Sequence, residues 1–248
     1  MRIFVTGATG VTGRRAVPLL IAAGHEVTAV ARSPEKAAAL ERAGARAAQV
    51  DLFDAATMRR AVEGHDTVVN LATAVPPSSR ALLPGAWKEM DRIRRDASAI
   101  LVDAALAGGV GRFVQESFAP IYADNGDGWI DEGWTMRPAR YNRSTLDAEA
   151  SAERFTRGGG TGVVLRFGWF YGPDAGGATL DMIGFVRKGW SPAPGARRKQ
   201  RCVRRTRRFR SCRRFPGAER LQLRASMGRH CASWIPRSKS RRRPGTAM

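Results

Sequence analysis

Residues 2–6, RIFVT, form a short apolar run, and TGATGVTG follows at once, placing Gly7, Gly10 and Gly13 ahead of a helical stretch that reaches about Ala23. A strand that turns through spaced glycines into a helix must bring its return strand back parallel to the first, so the unit implied is βαβ. The rest of the chain repeats the alternation. HEVTAVA reads as a second strand and SPEKAAALERAG as a helix with Ser33 at its N-cap, Pro34 at N1 and Gly44 near its end. RAAQVDL is a third strand, DAATMRRAVEG a helix capped by Asp54, and DTVVNLAT a fourth strand. A long helix is expected over 86–108, a fifth strand at GRFVQES, a Gly- and acid-rich loop over 119–138, a helix over 140–157 and a sixth strand within TGVVLRFGWFYGP. Strands that are nearly continuous apolar runs are buried on both faces. The fold class is therefore α/β: a doubly wound parallel sheet of the Rossmann type. Pro18, inside the first helix, should bend it.

The glycine loop carries the first chemical inference. Without Cβ atoms, Gly7, Gly10 and Gly13 let the backbone turn sharply and approach a pyrophosphate, while Val11 and Thr12 lead into a helix whose free N–H groups and positive dipole end face the anion. A dinucleotide is the expected ligand. At the end of the second strand, where an NAD enzyme places an acid for the ribose 2′-hydroxyl, this chain has Arg32. A guanidinium suits a 2′-phosphate, so NADP is the expected cofactor and NAD the alternative, with a solvated helix-start arginine as the plain structural reading. Asp51 and Leu52, closing the third strand, are placed beside the adenine. Asn70, Leu71 and Ala72, closing the fourth, are placed beside the ribose and nicotinamide.

Taken together, TGATGVTG, GHEVTAVAR, VDLFD, VVNLAT, YNRSTLDAE and LRFGWFYGP resemble the extended and atypical short-chain dehydrogenase/reductase superfamily, the NAD(P)-dependent epimerase/dehydratase group. The likeness covers about residues 1–195. It implies a sheet domain that binds NAD(P) and a smaller C-terminal part that closes over a substrate. It also implies a catalytic tyrosine one helical turn before a lysine, a Ser or Thr after the fifth strand, and often an Asn on the long helix. Tyr141, in YNRST, matches the tyrosine, but the lysine position is Thr145. Ser117 stands one place early for the strand-five hydroxyl, and MDRIRRDASAIL has no Asn.

The missing lysine matters because free tyrosine loses its proton only near pH 10, and a cation on the same helix face is what stabilises a phenolate near neutrality. Thr145 offers a hydrogen bond and no charge. Tyr141 is therefore a candidate acid or a buried helix-start aromatic, and Ser117 a candidate hydroxyl or a strand-ending serine that satisfies the backbone. Glu116, Asp131 and Glu132 are expected to be solvated. Two classes of function stay open on these residues. One is an NAD(P)-dependent oxidoreductase or epimerase/dehydratase acting on a carbonyl, alcohol or nucleotide-sugar-type small molecule. The other is an NADP-binding sensor or scaffold without turnover.

Composition enters at the C-terminus. Residues 197–248 carry 19 Lys and Arg against one acid, Glu219, which leaves 23 of the 42 bases and 21 of the 22 acids in residues 1–196. All three cysteines, Cys202, Cys212 and Cys231, also lie there, without the spacing of a zinc site. Domains are accordingly drawn at 1–195, nucleotide-binding, and 196–248, a basic and disordered tail. Three readings compete for RCVRRTRRFRSCRR: a basic arm for nucleic acid, a solvated tail, or an end translated in a shifted frame. The family continues after YGP with a strand and a VHVDDAA-like motif, and neither is present. Arginine codons of the CGN type, read one base later, give Val, Ala, Asp or Gly, and one permitted set for Arg204–Arg208 becomes Val-Glu-His-Asp-Ala. The abrupt change in charge favours the shifted frame, which makes nucleic acid a poor partner. No metal site is expected. No apolar run reaches the roughly 18 residues of a membrane span, and a strand at residue 2 leaves no room for a signal peptide, so the expected location is the cytoplasm. The expected partner is a small-molecule substrate, and the resemblance allows a homodimer.

Overall fold

The computed structural model describes residues 1–126, 128–168 and 170, and, beyond these, 180, 181, 183, 184, 187, 188, 212 and 213. Six parallel strands lie in the order β3-β2-β1-β4-β5-β6: β1 Arg2–Thr6, β2 Glu26–Val30, β3 Arg46–Ala48, β4 Thr67–Asn70, β5 Arg112–Phe118 and β6 Thr161–Phe167. Cys212–Arg213, β7, pairs antiparallel with β6 at the outer edge. The rest of the expected basic tail, its disorder and the boundary near 195 lie outside the described residues.

Helices α1 Gly13–Ala22, α2 Pro34–Arg42, α3 Ala55–Val62, α4 Lys88–Arg92, α5 Ser98–Ala107 and α6 Ser144–Arg157 cover the sheet. The period-2 pleat of β1 shows the division. Ile3 and Val5 pack with Val17 of α1 and Leu40 of α2, while Phe4 between them enters the opposite layer with Met58, Leu101, Phe113 and Phe155. The local signals act where expected: the Ser33 hydroxyl accepts from Lys36 N, and the Asp54 carboxylate accepts from Ala56 and Thr57 N at 2.9 and 3.3 Å. Gly44, just past α2, adopts φ +88°. Pro18 lies on the exposed side of α1, which runs as one helix from Gly13 to Ala22.

Two elements depart from their sequence pattern. The third strand is only three residues long, because the Asp51 carboxylate accepts from Phe53 N at 3.0 Å and turns the chain out of the sheet. The long helix is broken into α4 and α5 by a π-helical turn over Ile93–Ala97, with the Ser98 hydroxyl bonded to the Ile93 carbonyl five residues back. Such turns insert one extra residue and re-aim the side chains around them. Here both Arg94 and Ser98 are buried against the sheet.

The strand order fixes where a ligand can bind. The chain runs outward from β1 to β2 in one direction and to β4 in the other, and the crevice at the carboxyl ends of those strands is the topological switch point.

Candidate functional site

At the switch point the backbone is packed tightly enough to require its glycines. Gly7 has φ +66°, and a Cβ there would collide with the Leu71 carbonyl and Ala72 N. A Cβ on Gly13 would strike the Gly7 carbonyl and Ala8. Gly10 differs. It is exposed, donates its N–H to the Gly7 carbonyl at 3.0 Å, and its Cβ would lie 3.2 Å from that one oxygen. Gly7 and Gly13 thus serve the fold, whereas Gly10 keeps a surface open above the N-terminus of α1. Val11 and Thr12 are half-buried in that turn, and the Thr12 side chain makes no capping bond to its own helix. This cradle fits a pyrophosphate.

Beside it lies a groove of about 430 Å³ lined by Arg32, Asp51, Leu52, Phe53, Glu89 and Ile93 among others. The structure therefore brings together Arg32 from the end of β2 and Asp51–Leu52 from the end of β3. Arg32 is exposed, and among the described residues its guanidinium has no acidic partner. The Arg92 guanidinium lies 3.5 Å over the ring of Phe53, one of the lining residues.

Asn70 is buried and its amide is fully engaged. It accepts from Thr6 Oγ1 at 2.5 Å and donates to Gln115 Oε1 at 2.9 Å and Ser98 Oγ at 3.1 Å, forming a polar row across β1, β4 and β5. Leu71 and Ala72 carry the strand end past Gly7. Asn70 thus sets the backbone of the crevice from beneath.

The fifth and sixth strands end in a second polar assembly, built from side chains. Ser117 and Arg166 are register partners on β5 and β6. Ser117, wholly buried, donates to Glu149 Oε1 at 2.5 Å. The Arg166 guanidinium forks onto the same carboxylate, Nε to Oε1 at 2.7 Å and Nη2 to Oε2 at 2.6 Å. It also donates to Tyr122 Oη at 2.5 Å, to the Glu132 carbonyl at 3.3 Å and to Met136 Sδ at 3.2 Å. Burial opposes the charge on Arg166, but its bonds to Glu149 and Tyr122 outweigh that and hold its proton more firmly than in an ordinary arginine. The loop after β5 closes on this cation, with Tyr122 bridged to Met136 and Arg137 N bonded to the Ile121 carbonyl at 2.6 Å.

Glu116 is not solvated, contrary to expectation. It is 8% exposed because the π-helical turn carries Arg94 down onto β5, where the two groups meet at 3.7 Å. Burial raises the Glu116 carboxyl above the usual carboxylate range, and Arg94 only partly opposes this. Asp131 is exposed and Glu132 half-buried. Tyr141 is not a buried aromatic either. It sits in a 3₁₀ turn, Arg140–Asn142, ahead of α6, is 43% exposed and packs against Trp87 in a tilted pair with ring centroids 4.9 Å apart. Thr145 is wholly buried and bonds the Asn142 side chain at 3.4 Å. Tyr122, Glu149, Arg166 and Arg94 escape sequence reasoning. The one usable signal was a glutamate eight residues after Tyr141 in YNRSTLDAE and an arginine inside the apolar run LRF, two charges in segments otherwise destined for burial.

The profile of the NAD(P)H-binding family matches residues 7–189. The chain is 34% identical over 182 residues to the 3-diazoavenalumate denitrifying reductase of a Streptomyces species, a match covering 71% of this chain and 58% of that protein. It is 34% identical over 113 residues to the L-arabinose 1-dehydrogenase (NAD(P)(+)) of Haloferax volcanii, covering 46% and 39%. Among solved structures it is similar to the UDP-glucose 4-epimerase of Thermus thermophilus in complex with NAD, with 27% identity, a TM-score of 0.62, and coverage of 77% of this chain and 64% of that one. It is also similar to MoeE5 in complex with UDP-glucose and NAD, with 29% identity, a TM-score of 0.52, and coverage of 62% and 49%. The chain spans about half the length of the curated relatives it matches. No helix among the described residues is long and apolar enough to cross a membrane.

Proposed function

We propose that this chain, which belongs to the NAD(P)H-binding family within the short-chain dehydrogenase/reductase and epimerase/dehydratase superfamily, is an NADP-dependent reductase of a small carbonyl compound. The observation that carries the cofactor choice is the groove that joins Arg32 to Asp51 and Leu52, with no acid at the end of β2. There Arg32 receives a 2′-phosphate, the Gly10 turn and the start of α1 receive the pyrophosphate, and Leu71 and Ala72 border the nicotinamide end. Bound reduced cofactor supplies a hydride. The chain's own residues bind it, exclude water at the strand ends and deliver a proton to the substrate oxygen. The similarity to a reductase over 71% of the chain supports reduction as the direction.

A second reading, binding without turnover, is favoured by one observation: Thr145 replaces the lysine and lies buried against Asn142. Loss of reduced-nicotinamide absorbance, followed against a panel of aldehydes, ketones, quinones and nucleotide sugars, separates the two. The reductase reading expects NADPH oxidation with at least one carbonyl. It also expects Arg32→Asp to weaken NADPH about tenfold or more, a loss of roughly 1.4 kcal/mol, while NADH is unaffected or improved. NADPH binding with no turnover across the panel leaves the sensor reading standing.

A further inference from the structure

The Glu149–Arg166 pair gives the two hydroxyls it touches opposite polarity. The Ser117 hydroxyl spends its hydrogen on Glu149 Oε1, a carboxylate already clamped by a guanidinium, so Ser117 has none left to give. Tyr122 is bonded the other way. Its oxygen accepts from Arg166 Nη1, which leaves its own hydrogen free to donate. Tyr122 is half-buried, whereas Ser117 is not exposed at all. It also stands at the carboxyl rim of the sheet, on the segment that follows β5. The Tyr141 hydroxyl makes no hydrogen bond among the described residues, and its ring packs against Trp87.

We propose that Tyr122 is the proton donor of the site, with Glu149 and Arg166 as the positioning residues that hold it there. The assignment rests on the reductase reading above. As the substrate's carbonyl carbon accepts the hydride, its C=O π pair moves to oxygen, and that oxygen takes the proton from Tyr122 Oη. The Tyr122 O–H bond breaks and an alcohol O–H bond forms. The carbonyl carbon is reduced and the nicotinamide oxidised, and the Tyr122 oxygen, still held by Arg166 Nη1, regains a proton from water. The chain thus places its cation at position 166, on the neighbouring strand, where YNRST has none at position 145.

The test compares wild type with Tyr122→Phe, Tyr141→Phe, Ser117→Ala and Arg166→Lys. Three measurements are made: NADPH affinity, single-turnover reduction of the best acceptor from the carbonyl panel, and carbon NMR of the chain isotopically labelled at tyrosine Cζ, of which it has only three. Tyr122→Phe should slow single turnover by about 100-fold or more with NADPH affinity retained, and this should be the largest loss among the Tyr and Ser variants. Arg166→Lys should fall between, since an ammonium cannot reach both Glu149 oxygens and Tyr122 at once. The resonance that is missing in Tyr122→Phe should move in Arg166→Lys, and the one missing in Tyr141→Phe should stay. Equal rates for Tyr122→Phe and wild type, a larger loss in Tyr141→Phe or Ser117→Ala, or an unmoved Tyr122 resonance overturns the assignment. NADPH binding without reduction of any acceptor overturns the reductase reading instead, and this assignment with it.

Discussion

The two halves of the crevice are made of different material. Between β1 and β4 the surface is backbone: Gly7 and Gly13 bring main chain against main chain, and Asn70 braces it from below. Between β5 and β6 the surface rests on side chains, where one buried guanidinium joins Glu149, Tyr122, Glu132 and Met136. A backbone site is specified within a few consecutive residues and tolerates change elsewhere. A side-chain site depends on partners far apart in sequence, and losing one strands the others in a low dielectric.

The largest effect that sharpens this contrast is on stability. Arg166→Leu should cost about 3–5 kcal/mol in urea unfolding, because it leaves Glu149 charged and buried without its partner. The double variant with Glu149→Leu should recover much of that loss, and a double variant as unstable as the single one would show that the pair is not the cause. The exposed pair between Arg95 and Asp147, 3.4 Å apart, is its control. Arg95→Ala there should change stability by no more than about 1 kcal/mol.

Next is a loss of binding without loss of fold. Gly10→Val should keep the wild-type melting temperature within a few degrees, since its Cβ meets only the Gly7 oxygen, yet weaken NADPH about 100-fold, or roughly 2.7 kcal/mol. Gly7→Val should fail on both counts, because φ +66° and the Leu71 carbonyl leave no room. If Gly10→Val unfolds the chain like Gly7→Val, the division between fold glycines and the ligand-facing glycine is wrong.

The smallest effect is a pH dependence. The folded chain holds the Glu116 proton above the usual carboxylate range, so the unfolded chain releases it first as pH rises. This group's contribution is therefore present below the ordinary carboxylate range and is lost as pH climbs through the raised folded value. Glu116→Gln, which cannot ionise, should flatten that part of the stability profile, as read by melting temperature from acid to neutral pH. An unchanged slope would show that Arg94 keeps Glu116 ionised throughout.

These contrasts also explain what the sequence disclosed. The glycine turn, the ends of β2 and β3 that carry Arg32 and Asp51–Leu52, and both helix caps were legible because each depends on neighbours within a few positions, and the doubly wound parallel sheet followed from the βαβ rhythm. The β5–β6 corner was not. Ser117, Tyr122, Glu149 and Arg166 are spread over some fifty residues and meet only through the parallel register of β5 with β6 and the packing of α6. Glu116 was misjudged for a related reason: a π-helical turn, invisible in the pattern of the long helix, is what buries Arg94 beside it. Tyr141, read from a motif, lies in a 3₁₀ turn outside the helix that the motif implies.

The proposed function requires the glycine turn and Arg32 to form an NADP site together. Isothermal titration of the chain with NADPH and with NADH tests it most directly. The expected result is saturable one-to-one binding of NADPH, tighter than NADH by about tenfold or more. Equal affinities, or no saturable binding of either nucleotide, would contradict it.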